Sequence, residues 1–162
     1  RMDDSFKEQF NEYVPTFEEY AEVIGIEMAK AYPNGEKMLV TEDGTPVVSN
    51  AMHLLATIIG VKEVQGNTFI VLDTKREDVG ASCICKSPSY QHFGKDENHV
   101  EKATVFGCSC VEIDYLIRGY NGAANIGDKI LIRNIGAYSY NMTNNFITHG
   151  CRNVIPMKDV VF

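Results

Sequence analysis

Beyond residue 44 the chain consists of short β-rich runs, and this pattern constrains the fold more than any other feature. Glycine, asparagine or aspartate separates most of the runs from their neighbours. We predict strands over residues 58–64, 68–72, 82–86, 103–107, 129–133 and 153–156. Short strands at irregular spacing, with turn residues between them, favour a mainly β fold with an antiparallel, Greek-key-like β-barrel.

Turn signals set the order of these strands. Gln65-Gly66-Asn67 joins the first two runs and predicts a hairpin. Gly127-Asp128 predicts a tight turn immediately before the run over 129–133. Residues 87–102 are polar, and we expect them to form a long loop.

The first part of the chain has a different character. A helix is predicted over residues 16–31, because Thr16 followed by Glu19 forms a capping-box pair and apolar side chains then recur on one face. The apolar run over 37–41 predicts a buried strand. Helix, short loop and apolar strand are half of an α/β repeat, whose strand needs parallel neighbours. We therefore expect the end of an α/β domain to precede the β-barrel.

Composition and charge exclude several classes of protein. The chain has 162 residues, with 44% hydrophobic and 23% charged residues, which is typical of a globular protein. Its net charge of −7 disfavours a nucleic-acid or anionic-membrane surface. Its longest apolar stretch is far shorter than the roughly 20 residues of a membrane span. No secretory signal is visible, so we expect a cytoplasmic protein.

Five cysteines support the same compartment and raise a second question. They are Cys83, Cys85, Cys108, Cys110 and Cys151, and an odd number disfavours a secreted disulfide scaffold. Two Cys-x-Cys pairs leave a zinc site open as an alternative, although paired zinc ligands usually have two to four residues between them. A spacing of one residue is also what a strand produces when two cysteines face one core. We predict no metal site.

Several local patterns occur in one order and carry a resemblance. They are Glu42-Asp43-Gly44, the run from Gly107 to Asp114, Gly127-Asp128, Gly136-Ala137-Tyr138 and, eight residues later, Phe146. In this order and at these separations they resemble the C-terminal half of the fold-type III pyridoxal-phosphate decarboxylases. That family includes the ornithine and diaminopimelate decarboxylases. The resemblance covers nearly the whole chain.

The resemblance assigns three principal site residues. Glu42 matches a glutamate that contacts the pyridine nitrogen of the cofactor, where a carboxylate keeps that nitrogen protonated. Tyr138 matches a tyrosine whose hydroxyl meets the cofactor phosphate. Cys110 matches a cysteine that crosses the interface of a homodimer to the partner's cofactor. There it is expected to donate a proton after decarboxylation.

Four further residues follow from the same resemblance. Gly44 is expected beside the cofactor with Glu42. Asp114 matches an aspartate that usually accompanies the cysteine, and we expect it to be structural. Phe146 matches an aromatic residue of the active-site wall. Glu112 is a candidate for substrate binding, although it does not occupy the family's usual position.

The sequence also departs from the family's pattern. Asp43 and Cys108 stand where prolines are usual, and Thr45 replaces an arginine that helps to hold phosphate. The residue after the motif cysteine is often acidic and contacts a distal amine of the substrate, but here it is Val111. Glu112 follows, and neighbouring residues of an extended segment face opposite ways. A diamine-forming substrate is therefore not expected.

The family binds its cofactor through a lysine in an N-terminal α/β (TIM-like) barrel, and no lysine of this chain has a matching context. We therefore expect residues 1–46 to be the C-terminal remnant of that cofactor-binding barrel and 47–162 to be the β-barrel domain. The intact protein would have about 400 residues. This chain alone is expected to be inactive.

The leading hypothesis is the C-terminal part of a pyridoxal-phosphate-dependent decarboxylase of an amino acid, free or carried on a conjugate. One alternative is a racemase or epimerase of the same fold, in which the carboxylate is retained. Another is a non-catalytic module that dimerises or binds a partner, with or without zinc. Carbon dioxide release separates the first two, and metal analysis tests the zinc form of the third.

Overall fold

The computed structural model describes residues 15–80, 88–145, 147 and 153–159. Two units make up the chain, Arg1–Gly44 and Thr45–Phe162. The predicted strand over 82–86 and the residue Phe146 lie outside the described residues, as do Cys83, Cys85 and Cys151.

Helix α1 (Phe17–Ala31) is the main element described in the first unit, and its predicted start is confirmed. The Thr16 side chain accepts a hydrogen bond from the Glu19 N–H at 3.2 Å. The Glu19 carboxylate in turn accepts from the Thr16 N–H at 2.7 Å, which completes the capping box. At the other end the Tyr32 N–H donates to the carbonyl of Met28 at 2.9 Å.

The structure corrects the prediction for residues 37–41. These residues lie outside every strand and are exposed, although a buried strand was expected. A parallel strand is held by hydrogen bonds from its neighbours. No partner strand is present among the described residues of this unit, so the apolar run stays unpaired.

The second unit begins with two short helical turns and continues as a six-stranded sheet. Helix α2 (Thr45–Val48) leads into a 3₁₀ turn, Ser49–Ala51. The strands are β1 (Leu54–Val64), β2 (Asn67–Leu72), β3 (Tyr90–Phe93), β4 (His99–Phe106), β5 (Tyr115–Ala123) and β6 (Lys129–Ile132). Their order in the sheet is β3-β6-β1-β2-β4-β5. Helix α3 (Arg76–Val79) follows β2, and a 3₁₀ turn, Met157–Asp159, follows β6.

The predicted hairpin forms between β1 and β2. Val64 pairs with Asn67, so Gln65 and Gly66 are the two loop residues. Both have positive φ, at 51° and 75°, as a type I′ turn requires. Strands β2 and β4 pair in parallel, whereas the other strand pairs described are antiparallel.

The sheet curls into a barrel around β1. The first residues of β1 pair with β6, whereas its later residues pair with β2 after a register shift between Ile58 and Gly60. Across the barrel, Tyr90 of β3 contacts Tyr120 of β5, with ring centroids 5.2 Å apart. The Tyr120 hydroxyl donates to the carbonyl of Ala123, and burial raises the pKa of this tyrosine to about 12. The mainly β barrel is therefore confirmed.

The barrel encloses one hydrophobic core. Its buried members are Ala56, Ile58, Ile70, Leu72, Val79, Ala103, Val105, Leu116, Ile117, Tyr120, Ala124, Ile130, Ile132 and Ile135. Every strand except β3 contributes to this set, and Tyr90 of β3 packs against it.

Three local predictions in this unit are wrong. The expected loop over 87–102 contains β3 and the beginning of β4. Strand β5 was not predicted, because Gly119, Asn121 and Gly122 interrupt its apolar alternation. Residues 153–156 form no strand and are exposed. In each case the local sequence pattern is weak, and whether the residues form a strand depends on whether a neighbouring strand pairs with them.

Candidate functional site

Residues 107–114, which connect β4 to β5, form a structured loop that we call the cysteine loop. Its organiser is the buried carboxylate of Asp114. One oxygen accepts the N–H of Arg76 at 2.7 Å, and the other accepts the N–H of Ser109 at 2.9 Å together with the Ser109 hydroxyl. A Cβ at Gly107 would lie 2.4 Å from this carboxylate and would displace it, so glycine leaves the space that the bonded carboxylate occupies.

The tip of the cysteine loop is exposed. Cys110 lies on the surface with Val111, Glu112 and Ile113. The other described thiol, Cys108, is half-buried, and its N–H donates to the carbonyl of Thr74 at 2.7 Å. Burial, followed by a contribution from the Asp114 carboxylate, raises the pKa of Cys108. Of these two thiols, Cys110 is the one available to an external group.

The second predicted feature is the tyrosine segment, residues 135–145. Tyr138 has a left-handed backbone with φ of 56°, and its side chain is 55% exposed. A bulky residue takes this conformation only where the surrounding structure imposes it. The Tyr138 hydroxyl makes no hydrogen bond to the residues that the structure describes.

The neighbours of Tyr138 explain why its ring is presented outward. Ala137 and Ser139 are buried on either side of it. The Ser139 hydroxyl donates to the carbonyl of Ile135. A Cβ at Gly136 would lie 2.0 Å from the carbonyl oxygen of Val48, and the Gly136 N–H donates to the Ser49 carbonyl at 2.8 Å. The Gly-Ala-Tyr pattern therefore combines a close backbone approach with a projecting ring.

A third feature, residues 74–80, was missed by sequence analysis, and we call it the connector. It contacts the cysteine loop through the Arg76 N–H and through the Arg76 guanidinium, which donates to the Ile113 carbonyl at 3.3 Å. It contacts the tyrosine segment at Gly80, where a Cβ would lie 2.4 Å from the Tyr138 carbonyl oxygen. The available signal was a run of charged residues directly after an apolar strand.

The remaining predicted residues are placed differently. Glu42 and Gly44 belong to the first unit, where Glu42 is exposed and Gly44 has a positive φ of 62°. Glu112 is exposed on the cysteine loop. The structure thus describes the surroundings of Cys110 and Tyr138 within one unit.

The described histidines make structural contacts. His92 pairs with the buried carboxylate of Asp128 at 2.8 Å, and His99 pairs with Asp96 at 2.9 Å. His53 accepts a hydrogen bond from the Asn134 N–H at 3.1 Å. Within the described residues, no group of three or more histidine, cysteine, aspartate or glutamate side chains is arranged to hold a metal.

Among the described helices, none has the length and apolarity to cross a membrane.

Comparison with known proteins places this sheet in a family. Residues 20–136 match the family described as "Pyridoxal-dependent decarboxylase, C-terminal sheet domain". The chain belongs to this family. Pyridoxal phosphate is the family's cofactor. The match includes the cysteine loop and ends two residues before Tyr138.

Individual relatives of this decarboxylase domain agree. The diaminopimelate decarboxylase of Methanocaldococcus jannaschii is 28% identical over 155 residues, which are 92% of this chain and 35% of the relative. A structure of that enzyme from M. jannaschii with L-lysine aligns with a TM-score of 0.70 and 25% identity, covering 83% of this chain and 32% of the other. The lysine decarboxylase of Selenomonas ruminantium aligns with a TM-score of 0.67 and 25% identity, covering 86% and 36%. The decarboxylase domain therefore spans about a third of its relatives.

Proposed function

We propose that the intact protein is a pyridoxal-phosphate-dependent amino-acid decarboxylase and that this chain is its C-terminal part. The observation that carries the proposal is the cysteine loop. A buried carboxylate fixes that loop from within, while its central thiol, Cys110, is left exposed. A loop that served only to connect two strands would not need a buried, fully bonded aspartate at this cost. Family membership supplies the chemistry that such a thiol would serve.

The residues present fit the family's cofactor. The half-exposed Tyr138 hydroxyl is a neutral donor suited to a phosphate oxygen. In the first unit, the exposed carboxylate of Glu42 is suited to a protonated pyridine nitrogen, with Gly44 beside it. We propose that residues 1–46 are the end of the cofactor-binding barrel, whose remainder would provide the covalent lysine.

Pyridoxal phosphate, when bound, accepts the electron pair that is left when carbon dioxide departs from an amino acid. The protein must then return a proton to that carbon. We propose that the Cys110 thiol donates this proton from Sγ, because it is exposed on a fixed loop. Cys108 is unsuited to this task, since it is half-buried and its amide is bonded within the barrel.

We further propose that the intact enzyme is a homodimer in which Cys110 serves the partner's active site. The apolar side chains of Val111 and Ile113 are exposed beside the thiol, as expected of residues that contact a second subunit. Free thiols at Cys108 and Cys110 favour a reducing compartment, so we propose a cytoplasmic enzyme.

The substrate is proposed to differ from a simple diamino acid. Val111 gives an apolar side chain at the position where the family often has an acidic one, and Glu112 lies one residue further along the loop. We propose an amino acid whose distal end is apolar or conjugated, with Glu112 and Phe146 as candidate contacts. The named relatives act on diaminopimelate or lysine, which makes those two compounds the natural comparison substrates.

The test is carbon dioxide release by the full-length protein loaded with pyridoxal phosphate. A panel of free and N-acylated or carrier-linked amino acids should include one that releases carbon dioxide stoichiometrically with amine formation. Inversion at the α-carbon of any substrate, with no release of carbon dioxide from the whole panel, would instead identify a racemase. Stoichiometric zinc, lost to a chelator with unfolding, would favour the binding-module alternative.

A further inference from the structure

We infer that Asp78 and Lys75 of the connector are positioning residues, which hold Tyr138 in its left-handed conformation and so aim its hydroxyl. This inference rests on the proposed function, in which Tyr138 meets the cofactor phosphate. Neither side chain is placed among the groups that would contact cofactor or substrate.

Both residues are charged and buried, which requires an explanation. Lys75 is 1% exposed and Asp78 is 7% exposed. Burying a charge is costly unless hydrogen bonds satisfy it. Two buried charged side chains cost stability unless their hydrogen bonds hold other parts of the chain in place.

The bonds of Asp78 reach into the tyrosine segment. One carboxylate oxygen accepts the Thr143 hydroxyl at 2.8 Å. The other accepts the Thr74 hydroxyl at 2.8 Å and the Lys75 N–H at 3.2 Å. Asp78 thus joins the start of the connector to a residue 65 positions away in sequence.

Lys75 holds the next residue of the same segment. Its ammonium donates to the backbone carbonyl of Asn144, and also to the Asn144 side-chain oxygen at 3.0 Å. An ammonium that bonds both oxygens of one asparagine fixes its backbone as well as its side chain. Thr143 and Asn144 are therefore anchored to the connector side by side.

The anchored residues are connected to Tyr138 through a closed turn. The N–H groups of Met142 and Thr143 both donate to the Ser139 carbonyl, at 3.1 Å each. Ser139 directly follows Tyr138, and Gly80 of the connector packs against the Tyr138 carbonyl. The connector thus holds the tyrosine segment on both sides of the left-handed residue.

The cysteine loop contacts the connector at other groups, through the Thr74 carbonyl and through the backbone and guanidinium of Arg76.

The experiment measures, on the full-length protein, the ratio of dissociation constants for pyridoxal and pyridoxal phosphate. Both compounds have the same pyridine ring, so the contribution of the ring to binding cancels in this ratio. The ratio therefore reports the contact between the protein and the phosphate. Tyr138→Phe should reduce the preference for the phosphorylated form about tenfold, as expected for a hydrogen bond to a charged group. Asp78→Ala should reduce it by a similar factor, and the double variant should show no further loss. Asp78→Asn should recover part of it, since one amide oxygen still accepts from Thr143.

A destabilised control separates positioning from general stability. Ile130→Val removes one methyl group from the core, where Ile130 is fully buried, and should lower the melting temperature while leaving the ratio unchanged. Lys75→Met keeps the aliphatic part of the side chain and should also lower the ratio. It serves as the second test of the connector if Asp78→Ala does not fold. In the Asp78 and Lys75 variants that lower the ratio, exchange of the Met142 and Thr143 amide hydrogens should be faster, whereas Tyr138→Phe should leave it unchanged.

Two results would overturn the inference, and they are distinguishable. If Tyr138→Phe lowers the preference and the Asp78 and Lys75 variants do not, the connector has no positioning role and the proposed function stands. If Tyr138→Phe itself leaves the preference unchanged, the tyrosine contact in the proposed function fails, and the inference fails with it.

Discussion

At the scale of single residues, one carboxylate determines how the cysteine loop presents its thiol. Asp114 accepts bonds from the connector and from Ser109, so its two oxygens link two separate stretches of chain. Such a group costs free energy to bury and stabilises the fold only when every bond is present. Cys110 itself makes none of these bonds, which leaves its thiol available for chemistry.

The proposed role of Cys110 predicts a selective kinetic defect. In the full-length protein, Cys110→Ala should lower turnover by about a hundredfold or more, which is typical for loss of a general acid. Cofactor occupancy and melting temperature should stay near wild type, because the side chain is exposed. Steady-state kinetics and cofactor titration measure both quantities. Cys108→Ser is the matched control, and equal losses of turnover and occupancy in Cys110→Ala would contradict the role.

A different carboxylate, Asp128, predicts a dependence of stability on pH. Burial alone would raise its pKa, but hydrogen bonds from Asn125, His92 and the Lys95 N–H outweigh it and lower the pKa. A lowered folded-state pKa stabilises the protein above the ordinary value of 3.8, and this contribution is lost as pH falls through the folded-state value.

Urea unfolding of Asp128→Asn and wild type as a function of pH tests this assignment. The wild type should have the larger free energy of unfolding at neutral pH. The difference in this free energy between the two proteins should become smaller as pH falls below 3.8. Asp96→Asn is the control, because Asp96 pairs with His99 on the surface and should contribute little at any pH. A difference for Asp128→Asn that is constant across this range would rule out the assignment.

At the scale of elements, local signals predicted the structure wherever the bonding is local. The capping box of α1 and the two-residue turn between β1 and β2 each involve residues close in sequence. Strand β5 was missed because its glycines and asparagine look like turn residues until β4 pairs with them. The parallel pairing of β2 with β4 has no local signal, since its crossover spans intervening elements.

The candidate site also contains residues with a signal in the sequence and residues without one. Cys110 and Tyr138 could be proposed from the resemblance, because it depends on the type and order of residues along the chain, and their roles stay predictions. The connector was missed because Asp78 meets Thr143, and Lys75 meets Asn144, only in the folded barrel. Contacts between residues so far apart in sequence are not visible in any local window.

The packing of the tyrosine segment on the turn after α2 gives a prediction for Gly136. Gly136→Ala should destabilise the barrel by about 1–3 kcal/mol, because its Cβ would lie 2.0 Å from the Val48 carbonyl oxygen. The control is Gly60→Ala in β1, where the nearest atom would be at an ordinary 3.8 Å. Chemical denaturation of both variants measures the difference. Equal stability of the two would show that the close approach of Gly136 to Val48 carries no cost.

At the scale of the whole molecule, we propose that the decarboxylase domain supplies only part of an active site. It spans about a third of its relatives, and no lysine in it has the context expected of the covalent cofactor site. In the proposed homodimer each site combines Tyr138 of one subunit with Cys110 of the other. A defect at Cys110 of one subunit and a defect at Tyr138 of its partner therefore fall in the same site, and the other site of that dimer keeps both residues intact.

Subunit mixing tests this arrangement directly. Full-length Cys110→Ala and Tyr138→Phe proteins, each impaired alone, are dissociated, mixed in equal amounts and reassociated. Random pairing makes half of the dimers mixed, and each mixed dimer has one site with both residues intact, so about a quarter of the wild-type activity should appear. If Cys110 served the site of its own subunit, every site would retain one defect and mixing would restore nothing. Reassociating each variant with itself controls for recovery of activity by refolding, because only mixed dimers can contain an intact site.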